Sequence, residues 1–85
     1  MPYIKKEDRE RFNAFTRLLD EQDIKSPGEL NYLITMIVHK YLNQKPESYM
    51  MYTIAVGVLE GAKLELYRRH VAQYEDEKIE ENGDV

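Results

Sequence analysis

The run from Tyr49 to Leu59, "YMMYTIAVGVL", constrains this chain more than any other feature. Only Thr53 and Gly57 in it are not apolar, so a helix over these residues is hydrophobic nearly all round and has to be covered on most sides. The chain has 85 residues, near the size at which a single core supplies only roughly a few kcal/mol of net stability. Two short helices cannot cover every face of such a helix. We therefore expect a homo-oligomer, a dimer or larger.

Apolar residues spaced three and four apart predict an all-α fold, with three helices in a hairpin or bundle. The first helix is expected over about residues 6–22, the second over 27–42 and the third over 49–74, which makes the third the longest element. Pro46 ends the second helix because the residue before a proline is biased away from helical geometry. Ser48, or its neighbour Glu47, is expected to cap the third helix.

The stretch Ser26-Pro27-Gly28-Glu29 contains two residues that are typical of turns, yet it predicts a helix start. A serine followed three residues later by glutamate is the capping-box pattern. The serine oxygen accepts the Glu29 N–H, and the glutamate carboxylate is expected to accept the Ser26 N–H. Proline at the first helical position costs no hydrogen bond there. The second helix is therefore expected to begin at Pro27.

Gly57 and Gly61 are four residues apart on the expected third helix. Each glycine costs roughly 1 kcal/mol relative to alanine inside a helix, so a compensating gain is expected. Their missing side chains would let another helix approach closely, either the second helix or the third helix of another subunit. Chance spacing of two glycines is the alternative.

The net charge of −4 is unevenly distributed along one expected domain of residues 1–85. Residues 75–85 hold six acids and one base, a net charge of −5, so the remainder carries +1. A near-neutral body disfavours nucleic-acid binding, which normally needs a positive surplus. A helix-turn-helix regulator is disfavoured as well, because the second connection is longer than that motif's turn.

The acidic tail, residues 75–85, has two interpretations. It is either a frayed helix end, ordered to about Glu81 and then solvated, or a tight turn at Asn82-Gly83 that brings Val85 back beside Tyr3 and Ile4. We favour the first.

Composition removes several classes of chemistry. The chain has no cysteine, which excludes disulfides, thiolate metal sites and cysteine nucleophiles. His39 and His70 are the only histidines and are far apart in the sequence, so no metal site is expected. No phosphate loop, dinucleotide fingerprint or nucleophile elbow is present. We expect a protein that is not an enzyme, with no catalytic residue and no cofactor.

The charged stretch "MPYIKKEDRERF" lacks the apolar run of a signal peptide. The apolar run from Tyr49 to Leu59 is about half the roughly 20 residues that a membrane-spanning helix needs. A cytoplasmic protein without a membrane partner is expected.

The segment "KLELYRRH" is the best candidate for ligand binding. Arginine offers a planar fork that suits carboxylate or phosphate, and tyrosine offers a stacking face. The candidate residues are Lys63, Tyr67, Arg68 and Arg69. Ordinary helix-surface pairs with Glu60 and Glu65 are the alternative explanation. Asn31 and Tyr32 lie off the apolar stripe of the second helix, and we expect them to line the same pocket if they face Arg68 or Arg69.

Four segments, "MPYIKKEDRERF", "SPGELNYLIT", "VGVLEGAKLELYRR" and "YEDEKIEENGDV", together resemble a family of small proteins of unknown function found in bacteria and their phages. The resemblance covers nearly the whole chain. This chain departs from the family pattern at Gln73. The family often has a proline at this position, and a proline there would end the helix near Arg69. The resemblance implies a compact all-α protein in a phage or prophage setting, without an established activity.

By analogy, small phage proteins of this size often block a host protein or sequester a nucleotide signal of host defence. The first hypothesis is therefore an oligomeric helical module that sequesters a small anionic, nucleotide-like ligand. The alternative is a protein–protein interaction module that binds or inhibits a host protein through its acidic tail or tyrosine-rich surface.

Overall fold

The computed structural model describes residues 3–85. Helices hold 78% of these residues and no strand occurs among them, which confirms the predicted all-α class. Two compact units are present, the first ending at His39 and the second beginning at Lys40. The expectation of a single domain over residues 1–85 stays a prediction, as do the oligomer and the bundle arrangement of the helices.

The first predicted helix is confirmed in its position, but only its second part is α-helical. It starts as a 3₁₀ helix, Lys6–Phe12, and continues as α1, Asn13–Asp20. The residue that caps the 3₁₀ helix, Lys5, makes no side-chain capping bond, and 3₁₀ geometry is common where a helix begins without such support. The predicted end at residue 22 is two residues late, because Glu21 and Gln22 donate to carbonyls only three residues back.

Helix α2, Pro27–Leu42, has the bounds that the sequence predicts. The Ser26 Oγ accepts the Glu29 N–H at 3.1 Å, as expected. The other half of the capping box was predicted wrongly. The Glu29 carboxylate accepts a hydrogen bond from the backbone N–H of Lys25 at 2.8 Å and not from that of Ser26. The bonded N–H therefore lies one residue further from the helix than predicted.

The third predicted helix is longer than expected. Helix α3, Tyr49–Leu66, passes into a π-helical segment, Tyr67–Val71, and then into α4, Ala72–Asn82. We call this continuous 34-residue stretch the long helix. Ser48 caps it as predicted, accepting the Met51 N–H at 3.2 Å.

The predicted end of this helix at Tyr74, and the alternative end near Arg69, are both wrong. Gln73 supplies the backbone N–H that a proline would lack, and no glycine or proline follows until Gly83. Gly83 ends the helix with a φ of +83°, which a residue with a side chain rarely adopts, while its N–H donates to the Ile79 carbonyl at 2.8 Å.

The acidic tail is therefore mostly helix. Its ordered part extends to Asn82, one residue beyond the expected limit. The turn that brings Val85 back beside Tyr3 and Ile4 stays a prediction. The acids of residues 75–81 project from a regular helix surface.

The apolar half of α3, residues 49–59, is more exposed than the sequence predicts. Ala55, with 7% of its surface exposed, is the only buried residue among residues 3–85. Tyr49 is 82% exposed and Val56 is 67% exposed, although both lie in the run that was expected to be buried on most sides. The described chain thus leaves large apolar side chains in contact with water.

Candidate functional site

The π-helical segment coincides with the stretch "YRRHV", which contains three of the predicted ligand-binding residues. The Ala72 N–H donates to the carbonyl of Tyr67, five residues back, while Leu66 and Ala72 both keep ordinary helical dihedral angles. The helix therefore takes in one additional residue without breaking. Such segments are rare and frequently lie at functional sites.

Lys63 and Tyr67 are four residues apart and lie on one face of the long helix. Arg68 and Arg69 follow directly, so the four predicted residues occupy about two helical turns. The four residues are therefore close along the chain, but Arg68 and Arg69 project in other directions around the helix axis than the face that Lys63 and Tyr67 share.

Two of the four residues form ion pairs along the helix. The Lys63 ammonium lies 3.3 Å from the Glu60 carboxylate, and Arg69 donates to the Glu65 carboxylate. The alternative explanation of these residues as surface pairs is therefore partly correct. Arg68 is exposed and has no acidic partner within residues 3–85, which leaves its guanidinium available to an anion.

Tyr67 is held by a carboxylate further along the helix. Its hydroxyl hydrogen-bonds to Glu75, and this bond, together with the nearby negative charge of Glu75, raises the pKa of the Tyr67 phenol above its ordinary value. A spacing of eight residues is not a neighbour spacing in an α-helix. The extra residue of the π segment puts the eighth position close to where the seventh would lie, which is on the same face.

We expect the tyrosinate absorbance of Tyr67 to appear at higher pH than that of an unperturbed tyrosine, whose pKa is about 10. Because the pKa is raised in the folded state, the bond stabilises the fold fully below the unfolded pKa, and this contribution is lost as pH rises through the folded pKa. A spectrophotometric titration of wild type and Glu75→Gln, with Tyr67→Phe to assign the signal, tests this. An unchanged titration in Glu75→Gln would contradict it.

A depression of about 330 Å³ lies beside the π segment. Its lining is mostly apolar, with one ammonium group at the edge, and consists of Lys63, Leu64, Leu66, Tyr67 and Val71. The volume is at the lower end of the range of small-molecule sites, roughly 300–1,000 Å³. A flat apolar group fits such a lining better than an isolated inorganic anion does.

The other two predicted residues lie on α2, in the unit that ends at His39. The Asn31 side-chain oxygen accepts the Thr35 hydroxyl at 3.2 Å, and Tyr32 is 63% exposed. That Asn31 and Tyr32 line one pocket with Arg68 or Arg69 stays a prediction.

Neither a metal centre nor a membrane span is found in the described part of the chain. Within residues 3–85, no three histidine, aspartate or glutamate side chains are grouped as metal ligands would be. None of the helices in this range combines the length and apolarity that a bilayer crossing needs.

The sequence matches the family described as Domain of unknown function (DUF6899) over residues 1–85. The chain belongs to this family. Its resemblance to a family of small proteins of unknown function is thereby confirmed, while the bacterial or phage setting stays a prediction. Searches of curated proteins and of solved structures give no match for this DUF6899 chain.

Proposed function

We propose that this protein is a non-enzymatic helical module that associates with copies of itself and binds a small anionic, nucleotide-like ligand at the π segment. The observation that carries the proposal is the position of Arg68. This exposed cation without an acidic partner follows Tyr67, whose ring lines the apolar depression. A phage accessory role in countering host defence belongs to the same proposal and rests on the resemblance.

A nucleotide combines the two chemistries that this region offers. Its phosphate matches the planar fork of an arginine, which donates two parallel hydrogen bonds to one anion. Its base presents a flat face, and stacking of a base on an aromatic ring is worth about 1–3 kcal/mol. Tyr67 and the apolar side chain of Val71 supply that second contact.

The neighbouring ion pairs do not prevent phosphate binding. The pair of Lys63 with Glu60 lies on the exposed surface, where such pairs contribute about 0–1 kcal/mol. A phosphate group with more than one negative charge competes well with a single exposed carboxylate, so Lys63 is expected to turn toward the ligand when it binds. The Glu65 carboxylate is only 22% exposed, so Arg69 is expected to keep its pair with Glu65.

Arg68→Ala tests the proposal most directly. We expect the affinity for labelled ATP or a labelled cyclic dinucleotide to fall by about 10-fold to 100-fold, because a hydrogen bond to a charged group contributes about 1.5–3 kcal/mol. Fluorescence polarisation measures the affinity, and circular dichroism checks that the helices persist. Lys40→Ala removes an exposed cation from another region of the chain and is expected to bind normally.

Two results would contradict the proposal. One is equal binding by wild type and Arg68→Ala. The other is a wild-type protein that binds neither probe. The second result would favour the protein–protein interaction module, for which the ordered acidic surface of α4, Ala72–Asn82, is the candidate contact with a host protein.

A further inference from the structure

One face of α3 is apolar, exposed and centred on a glycine. Its most exposed large members are Tyr49 at 82%, Val56 at 67% and Leu64 at 58%. A Cβ placed on Gly57 would have nothing within 4 Å. We call this face the Gly57 stripe, and its members follow the helical repeat: Tyr49, Thr53, Val56, Gly57, Glu60 and Leu64.

The Gly57 stripe is complementary to the same stripe of a second copy that runs in the opposite direction. When two copies run antiparallel about a point between Val56 and Gly57, each Val56 faces the Gly57 of the other copy. Tyr49 then faces Leu64, and Thr53 faces Glu60. A side chain thus lies opposite the position that lacks one, and an aromatic ring meets an aliphatic side chain. The Thr53 hydroxyl donates to the Met50 carbonyl of its own helix at 2.8 Å, so it presents no unsatisfied donor to the second copy.

We propose that a second copy of this chain packs antiparallel on the Gly57 stripe, forming a two-fold symmetric dimer. Such an interface uses the same patch on both subunits, as two-fold interfaces do. The inference rests on the self-association in the proposed function and specifies its surface. It does not depend on the binding of a ligand.

Charge selects the antiparallel arrangement over the parallel one. A parallel pair in register places Glu60 opposite Glu60 and sets the two acidic segments, residues 75–85 with a net charge of −5 each, side by side. In the antiparallel pair Glu60 faces Thr53. The middle of each acidic segment then lies roughly 30 Å from Gly57 along the helix, in opposite directions, so the two segments are separated by far more than the Debye length of about 8 Å.

Single cysteines test the geometry cleanly, because the natural chain has none. Mild oxidation is expected to cross-link Val56→Cys with itself, since position 56 lies next to the two-fold axis. An equimolar mixture of Tyr49→Cys and Leu64→Cys is expected to give the mixed cross-link, whereas Tyr49→Cys alone gives little. Efficient cross-linking of Tyr49→Cys alone, or no cross-link in any sample, overturns the proposal.

Val56→Glu is the matching test of association. It places a carboxylate at the centre of the stripe, and we expect light scattering to report a dimer for wild type and a monomer for this variant. Gln73→Glu introduces the same group at an exposed position of α4 and is expected to stay dimeric. A monomeric wild type overturns both this inference and the proposed self-association. A dimeric Val56→Glu variant overturns only the assignment of the Gly57 stripe as the interface. Neither result bears on the Arg68→Ala binding test.

Discussion

The free energy of unfolding is expected to rise with protein concentration, by about 1.4 kcal/mol per mole of dimer for each tenfold increase. The reason is the lack of a core within the described chain, where Ala55 is the only buried residue among residues 3–85. A chain of this size needs most of its apolar surface covered to be stable. If the cover comes from a second copy, folding and association are one equilibrium.

Thermal unfolding followed by far-ultraviolet circular dichroism, at concentrations from about 1 to about 100 µM, measures this effect. We expect the midpoint to increase at each step for wild type. Val56→Glu should unfold at a lower temperature that does not change with concentration. Superimposable wild-type curves across the whole range would show that the chain folds without a partner.

Ala55→Asp is expected to destabilise the protein by about 3 kcal/mol, the other large effect. Ala55 is 7% exposed and Met51, one turn earlier on the same face, is half-buried. A carboxylate here loses its hydration, and aspartate is also a poorer helix former than alanine, which adds roughly 0.5 kcal/mol. Urea unfolding at a fixed protein concentration measures the change.

Gln73→Asp separates the two causes of that loss. It introduces the same residue into an exposed position of the long helix, so we expect only the smaller loss in helix propensity. At a pH low enough to protonate the new aspartate, the Ala55→Asp variant should recover part of its stability relative to wild type. Equal destabilisation by the two substitutions would mean that the Ala55 site is not buried in solution.

The sequence predicted best the elements whose ends depend on local chemistry. Helix α2 has the predicted bounds because Ser26 supplies the cap at its start and Pro46 stops the chain from continuing. The end of the long helix was placed too early, at about Tyr74, because the charge run after it was interpreted as a frayed helix end followed by a solvated tail. Nothing in that run breaks a helix before Gly83, and glutamate and lysine are good helix formers.

The assignment of Lys63, Tyr67, Arg68 and Arg69 as ligand-binding residues stays a prediction. The structure adds that Lys63 and Tyr67, four residues apart, lie on one face of the long helix. The π segment could not be predicted, because its residues are ordinary helix formers and no glycine or proline marks it. The bond between Tyr67 and Glu75 could not be predicted either, since side-chain pairs on an α-helix are expected three or four residues apart and not eight.

The π segment also decides what a change of chain length would do here. The segment already absorbs one additional residue, since Leu66 and Ala72 on either side of it keep ordinary helical dihedral angles. A deletion of one residue between Tyr67 and Val71 would therefore turn this segment into ordinary α-helix without rotating α4 around the helix axis. The Gly57 stripe before the segment and the acidic side chains after it would keep their relative directions, whereas the same deletion in a purely α-helical stretch would rotate everything after it by about 100°.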